Sequence, residues 1–249
     1  MPAVRLVHRI RQHLPGPVDA CELTLRLHPI GATHHQVAIS PLPLRQTSTA
    51  DRWGNDVLHA SLAGELRMIE VKASSTAIPG RHLPARPALT TEALLAPSAR
   101  VPHLAGTPSL SADEKGLRTL RAHLAEIFTY APGSTDVDTP LTEFVALRRG
   151  VCQDFAHYAL SCLRSSGIAA AYVGGYDSRA TTLGHGHAWV ALRRAGGWLP
   201  FDPTTGTVAP EHTIAVAVGR DYDDVAPVAG SLDLSGAVRL ESEVFIDST

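Results

Sequence analysis

Cys152, His187 and Asp202 are the residues of this chain whose types and order suit nucleophilic catalysis: a thiol that can attack, an imidazole that can move its proton, and a carboxylate that can hold the imidazole in place. Cys152 stands in RRGVCQDFAHYALSCLRSSGI, residues 148–168. From Val151 the apolar positions fall at 152, 155, 156, 159, 160 and 163, which is one face of an α-helix. Cys152 therefore lies in the first turn on the inward side. There the positive end of the helix dipole favours thiolate over thiol and lowers the pKa. Without a partner, packing is the simpler account of such a cysteine.

A partner is offered by GHGHAWVALRRAGGWLPFDPTTG, residues 184–206. If His187 begins one strand and Asp202 ends the next, a tight turn near Arg194 and Ala195 sets the two residues opposite each other. Opposed residues share a face with Cβ atoms about 5 Å apart, so a carboxylate can accept the imidazole N–H. A turn centred on Gly196 and Gly197 would shift this register. Cys162 lies on another face of the helix, about 15 Å further along its axis, which rules out a disulfide to Cys152 and leaves it as a packing residue.

The neighbours of these residues have plainer readings. Gln153 is a candidate side-chain donor to an oxyanion, beside the backbone N–H groups at the helix start. Trp189 shares a strand face with His187 and packs beside the site, where it could also touch substrate. His157 falls on the opposite side of the helix as a structural or surface residue, and Asp154 is a first-turn carboxylate complementing the dipole. His185 with His187 makes an isolated His-Gly-His that lacks the further ligands of a zinc site, so no metal is expected.

The elements that must position these groups fall in two halves. From Val4 to about Ile78 short alternating runs such as ACELTLRLHPI, with Leu23, Leu25 and Leu27 on one side, read as an antiparallel β-sandwich. DRWGN, residues 51–55, is a turn signal within it, where Gly54 and Asn55 can take positive φ. A Pro-rich passage follows, with at most a short helix near Thr90 to Leu95. The second half opens with a helix whose capping box starts at Ser111, continues with a short helix in PLTEFVALRRG closed by Gly150, and reaches the Cys152 helix. IAAAYVGGY, GHAWVAL and GWLPFD then read as strands. The expected division is 1–80 as a β-rich domain, 81–110 as a linker and 111–249 as an α+β catalytic domain.

Composition excludes several function classes. The chain of 249 residues is 44% hydrophobic and 18% charged, with 22 basic and 24 acidic residues and no long run of either sign. No nucleic-acid or membrane-surface footprint is expected. The N-terminal segment MPAVRLVHRIRQHLPG lacks the apolar core of a secretory signal, and no stretch approaches the roughly 20 apolar residues of a spanning helix. Three cysteines do not make a disulfide framework, so a cytoplasmic setting is expected.

RRGVCQDFAH, YVGGY at 172–176, HAWV at 187–190 and WLPFDPT at 198–204, in this order and spacing, resemble the transglutaminase-like cysteine enzymes of the papain-like superfamily, specifically the bacterial group with a β-rich N-terminal domain. GRDYDDVAPVAG at 219–230 is similar to the segment closing that family's core, so the resemblance spans nearly the whole chain. It implies that Cys152 is the nucleophile, His187 the general base and then acid, and Asp202 the residue orienting the imidazole. The implied reaction is acyl transfer through a thioester, on a peptide or protein substrate and without a cofactor. Water as acceptor would make the protein a cysteine peptidase, an amine a cross-linking transferase. A binding module on the same scaffold is the alternative from another class.

Overall fold

The computed structural model describes residues 1–179, 186–231 and 239–248. His185 and the TTLG stretch before it lie outside the described residues. In chain order the elements are β1 (Val4–Leu25), β2 (His34–Ser40), β3 (Arg45–Ala50), β4 (Asp56–Ala77), α1 (Thr91–Leu95), α2 (Glu114–Ile127), β5 (Thr129–Tyr130), α3 (Leu141–Leu147) and β6 (Arg149–Gly150). Then follow α4 (Cys152–Ser165), β7 (Ala170–Asp177), β8 (His187–Arg194), β9 (Gly197–Asp202), β10 (Thr207–Val208), β11 (Thr213–Gly219), α5 (Tyr222–Val225), β12 (Val228–Ser231) and β13 (Arg239–Ser248). The fold is α+β, with its two larger sheets antiparallel throughout. Among the described residues no helix is long and apolar enough to cross a membrane.

The first sheet has six strands built on β1 and β4, each 22 residues long and paired along most of their length. Their ladder shifts register between His13 and Ala20, where Pro15 and Pro17 have no N–H to give. Beyond that break the sheet turns over on itself. Asp56 and Val57 at one end of β4 and His35, paired to Ser75 near its other end, line a common cavity of about 300 Å³. The two layers of the expected sandwich are thus two halves of one bent sheet, sharing an apolar cluster of Leu23, Leu25 and Leu62 with Ile10, Ile69 and Val71.

The second sheet runs β10-β9-β8-β7-β11, and α4 packs on one of its faces. Ala188, Val190 and Leu192 of β8 join Phe155, Ala159 and Leu163 of α4, together with Leu117, Leu120 and Leu124 of α2. Trp189 and Ala191 point to the other face, against Trp53, Leu89 and Leu94. Residues 81–110 are no loose tether: Leu89, Leu94, Val101 and Leu110 are buried. The α2 cap is Asp113, which accepts the Gly116 N–H at 3.0 Å, whereas the expected cap Ser111 donates its hydroxyl to Asp113 at 2.6 Å. The carboxylate wins because it already points at the free N–H groups of the first turn.

Two features join the halves. β12 and β13, inside the range 111–249, pair with β1 of the first sheet, Leu25 opposite Val228 and Val4 opposite Ser248. The DRWGN turn docks on β11: Gly54 takes φ +78°, while the Asn55 amide donates to the Val218 carbonyl at 2.9 Å and accepts its N–H at 2.8 Å. Ile30 and Gly80 donate to the carbonyls of Ala215 and Thr213, so the edge of the second sheet is covered by the first half.

Candidate active site

The start of α4 is made by the residues just before it. α3 ends at Arg148, which takes φ +54° and donates its N–H to the Phe144 carbonyl, so the helix closes two residues before Gly150. Arg149–Gly150 then pair in parallel with Thr129–Tyr130. Gly150 is required for space: a Cβ there would come within 2.5 Å of Asp154 Oδ2 and 2.6 Å of the Phe144 ring. Val151 is extended, and its N–H reaches Asp154 Oδ2 at 2.8 Å. The carbonyl of Val151 takes the N–H groups of Asp154 and Phe155. Those of Cys152 and Gln153 precede the first intrahelical bond and are available at the site.

α4 is buried on every side from Gln153 to Arg164, not on one face alone. Its polar side chains are met by the connector, the start of β7 and α5. Ser161 donates to the Pro102 carbonyl at 2.7 Å, Arg164 to the Ala170 carbonyl at 3.3 Å, and His157 accepts the Tyr222 N–H at 3.2 Å. Cys162 is fully buried, and burial pushes its thiol up to about 12. Cys152 is only partly buried and free.

His187 opens β8 and Asp202 closes β9. The turn between the strands is Ala195–Gly196, with Arg194 opposite Gly197. This places the register two residues away from the one expected, so that Asp202 is a diagonal neighbour of His187 instead of its direct opposite. A shift of two preserves the face, and side-chain length covers the diagonal. His187 Nε2 lies 3.0 Å from Asp202 Oδ2. With Nε2 given to the carboxylate, Nδ1 is the nitrogen left to face the thiol, and Cys152 is near enough to the ring to help raise its pKa. Gly175, paired with His187, has no room for a Cβ, which would lie 2.9 Å from the Trp189 ring. The Trp189 indole stacks on His187 with centroids 5.8 Å apart.

The electrostatics follow from these contacts. Burial alone would lower the His187 pKa, but its hydrogen bonds to Asp202 and Cys152 and their negative charges raise it to about 10. Asp202 is wholly buried, which pushes its carboxyl up; hydrogen bonds from His187, Thr205 and Thr204 reverse this and hold it below the usual range. Thr204 N–H meets Oδ1 at 2.9 Å, so the DPTT turn supplies the acceptor's own donors. The arrangement favours a protonated imidazole beside an ionised carboxylate.

Gln153 is brought to the site's edge but turned away: its Nε2 donates to the Val137 carbonyl at 3.1 Å. Trp189 lies under His187 and is almost fully buried. Tyr130 is a residue that spacing alone does not reveal. It is 50% exposed, its ring stands 6.4 Å from Phe155, and burial together with negative charge on Cys152 and Asp202 raises its phenol pKa. Its backbone is paired with Gly150, two residues before Cys152. The two-residue parallel bridge that brings it there has no periodicity to detect. Among the described residues no group of three or more His, Cys, Asp or Glu could hold a metal ion.

Known proteins resemble the segment that carries this site. Residues 104–203 match the Transglutaminase-like superfamily, a span that includes Cys152, His187 and Asp202. An uncharacterized protein of Mycobacterium leprae is 44% identical over 124 residues, 47% of this chain and 44% of that protein. One of Mycobacterium tuberculosis is 39% identical over 127 residues, 46% of this chain and 40% of its own length. The chain thus spans under half the length of these curated relatives. A crystal structure from Cytophaga hutchinsonii, described as a "Putative Cysteine Protease", superposes with a TM-score of 0.77 at 18% identity, over 99% of this chain and 90% of that one. That likeness extends the shared fold across both sheets.

Proposed function

We propose that this protein, whose residues 104–203 match the Transglutaminase-like superfamily, is a thiol hydrolase that cleaves peptide or amide bonds by acyl transfer through Cys152, His187 and Asp202. The observation carrying this reading is His187 held between a fully buried carboxylate and a partly exposed thiol at a helix N-terminus.

The Cys152 thiolate attacks the substrate carbonyl carbon, forming a C–S bond and moving an electron pair onto oxygen. The Cys152 and Gln153 N–H groups and the Tyr130 hydroxyl are the donors for that oxyanion. Imidazolium Nδ1–H gives its proton to the leaving nitrogen, the C–N bond breaks, and an amine departs. Neutral His187 then takes a proton from water as its oxygen attacks the thioester carbonyl. The C–S bond breaks, the acid is released, and the ion pair is restored. Asp202 holds the ring in the tautomer both half-reactions need.

The test compares wild type with Cys152→Ala on a peptide library, with and without an added primary amine. Release of free acid by wild type, reduced about 10³-fold or more in the variant, is expected. Incorporation of the amine in place of water would make the protein a transferase, and equal turnover by both proteins would refute the nucleophile.

A further inference from the structure

The loop from β5 to α3 stands against the N-terminus of α4, and two buried side chains of the helix's first turn hold it. Asp154 is 2% exposed, and its Oδ2 accepts both the Thr135 hydroxyl at 2.6 Å and the Val151 N–H at 2.8 Å. Gln153, also buried, donates to the Val137 carbonyl two residues further along. At the root of the loop, Thr129 donates to the Arg148 carbonyl at 3.0 Å and Ala131 to the Gly150 carbonyl at 2.9 Å. Tyr130 lies between those two bonds. Arg100 braces the outer side, donating to the Val137 carbonyl and pairing with Asp138 at 3.2 Å and Asp223 at 2.7 Å.

A first-turn carboxylate that only complements a helix dipole works from the surface, where it stays hydrated. Asp154 is instead buried, and burial pushes its carboxyl up against the hydrogen bonds that favour the anion. Burying a carboxylate is costly unless the geometry gains something from it. The preceding backbone is kept bare for it as well, since a Cβ on Gly150 would collide with Oδ2. What Oδ2 joins is the residue before the nucleophile and the loop that carries Tyr130.

We propose that Asp154 is a positioning residue for acyl transfer: by tying Thr135 to the Val151 N–H it fixes the Tyr130 hydroxyl relative to Cys152, where the oxyanion forms. This rests on Cys152 being the nucleophile. Gln153 serves the same end from the neighbouring position, as a strap on the loop and not as an oxyanion donor.

Two reagents separate attack from oxyanion stabilisation. Iodoacetamide alkylates Sγ by displacing iodide from a saturated carbon, with no oxyanion. p-Nitrophenyl acetate acylates Sγ through a tetrahedral oxyanion and releases p-nitrophenolate. Tyr130→Phe and Asp154→Asn are each expected to slow acylation about tenfold or more while changing alkylation by less than about twofold. The double variant is expected to be no slower than Tyr130→Phe alone. Thr135→Val cuts the same tie from the loop side without touching the helix start, and should show the same selective loss, recovered in Thr135→Ser. These two carry the test if Asp154→Asn does not fold. Additive losses in the double variant, or equal slowing of both reagents, would overturn the positioning role. A p-nitrophenolate burst that persists in Cys152→Ala would instead sink the nucleophile assignment, whatever Asp154 does.

Discussion

His187 and His157 are both almost shut off from solvent, at the mouth and on the flank of one helix, yet their imidazoles are driven in opposite directions. His157 is lowered to about 3, by burial first and then by the cationic Arg100 and Arg164. Its Nε2 accepts the Tyr222 N–H, a bond that only the neutral ring can make. His187 suffers the same penalty of burial, but Asp202 and Cys152 outweigh it and the ring is raised to about 10. Burial pushes both rings towards the neutral form; what separates them is the neighbouring charge, which reinforces burial at His157 and overrides it at His187. One histidine is a fixed acceptor that joins α4 to α5, while the other is poised to hold and hand over a proton.

The contrast can be broken most sharply at Asp202. Asp202→Asn removes one of the two charges that distinguish the sites, so the His187 pKa should fall clearly below about 10, followed by NMR titration of the ring. Acyl transfer should drop about 10²–10⁴-fold. An unchanged titration would mean that Asp202 does not set the state of His187. A smaller effect is expected from His157→Phe, which leaves the Tyr222 N–H without an acceptor and should cost about 1–3 kcal/mol in urea denaturation. The pH profile of Cys152 alkylation should not move; a moved profile would tie His157 to the chemistry.

The finest test is the pH dependence of stability, where the two rings act on opposite limbs. His157 stays neutral in the folded chain, so its unfolded form gains protons first. Stability should fall as pH drops below 6.5 towards about 3, and this limb should flatten in His157→Phe. His187 holds its proton when folded. Its contribution is full below 6.5 and is lost as pH rises through about 10, so the alkaline limb should flatten in His187→Gln. Urea midpoints measured across the range would show the reverse assignment if the proposed charge states were wrong.

Much of the site's framework was legible in the sequence because it is local. The apolar period from Val151 marks α4, and the runs around Val190 and Phe201 mark β8 and β9. Turn placement was legible only to within a residue, since Ala195–Gly196 and Arg194–Ala195 are similar in composition while tertiary pairing chooses between them. Non-local contacts left no trace. Tyr130 beside Gly150, Asp154 under Thr135, and β13 beside β1 join segments from about twenty to more than two hundred residues apart, and no periodicity records such a meeting. The sequence left His157 as a structural or surface residue, and the choice between the two rests on a contact from a distant segment, the Tyr222 N–H that its ring accepts.

Between β4 and β12 the chain leaves the first sheet, builds the whole site-bearing unit, and returns to the strand beside which it left, since β1 pairs with both. Seen as chain entropy, β1 acts as a clasp holding both ends of a single loop of roughly 150 residues. While both pairings are in place, the conformations open to that loop are curtailed whatever contacts it makes within itself. Because closure cost rises only with the logarithm of length, about 0.6 kcal/mol per doubling, the clasp tolerates insertions in the surface loops around the site while keeping their two ends in register.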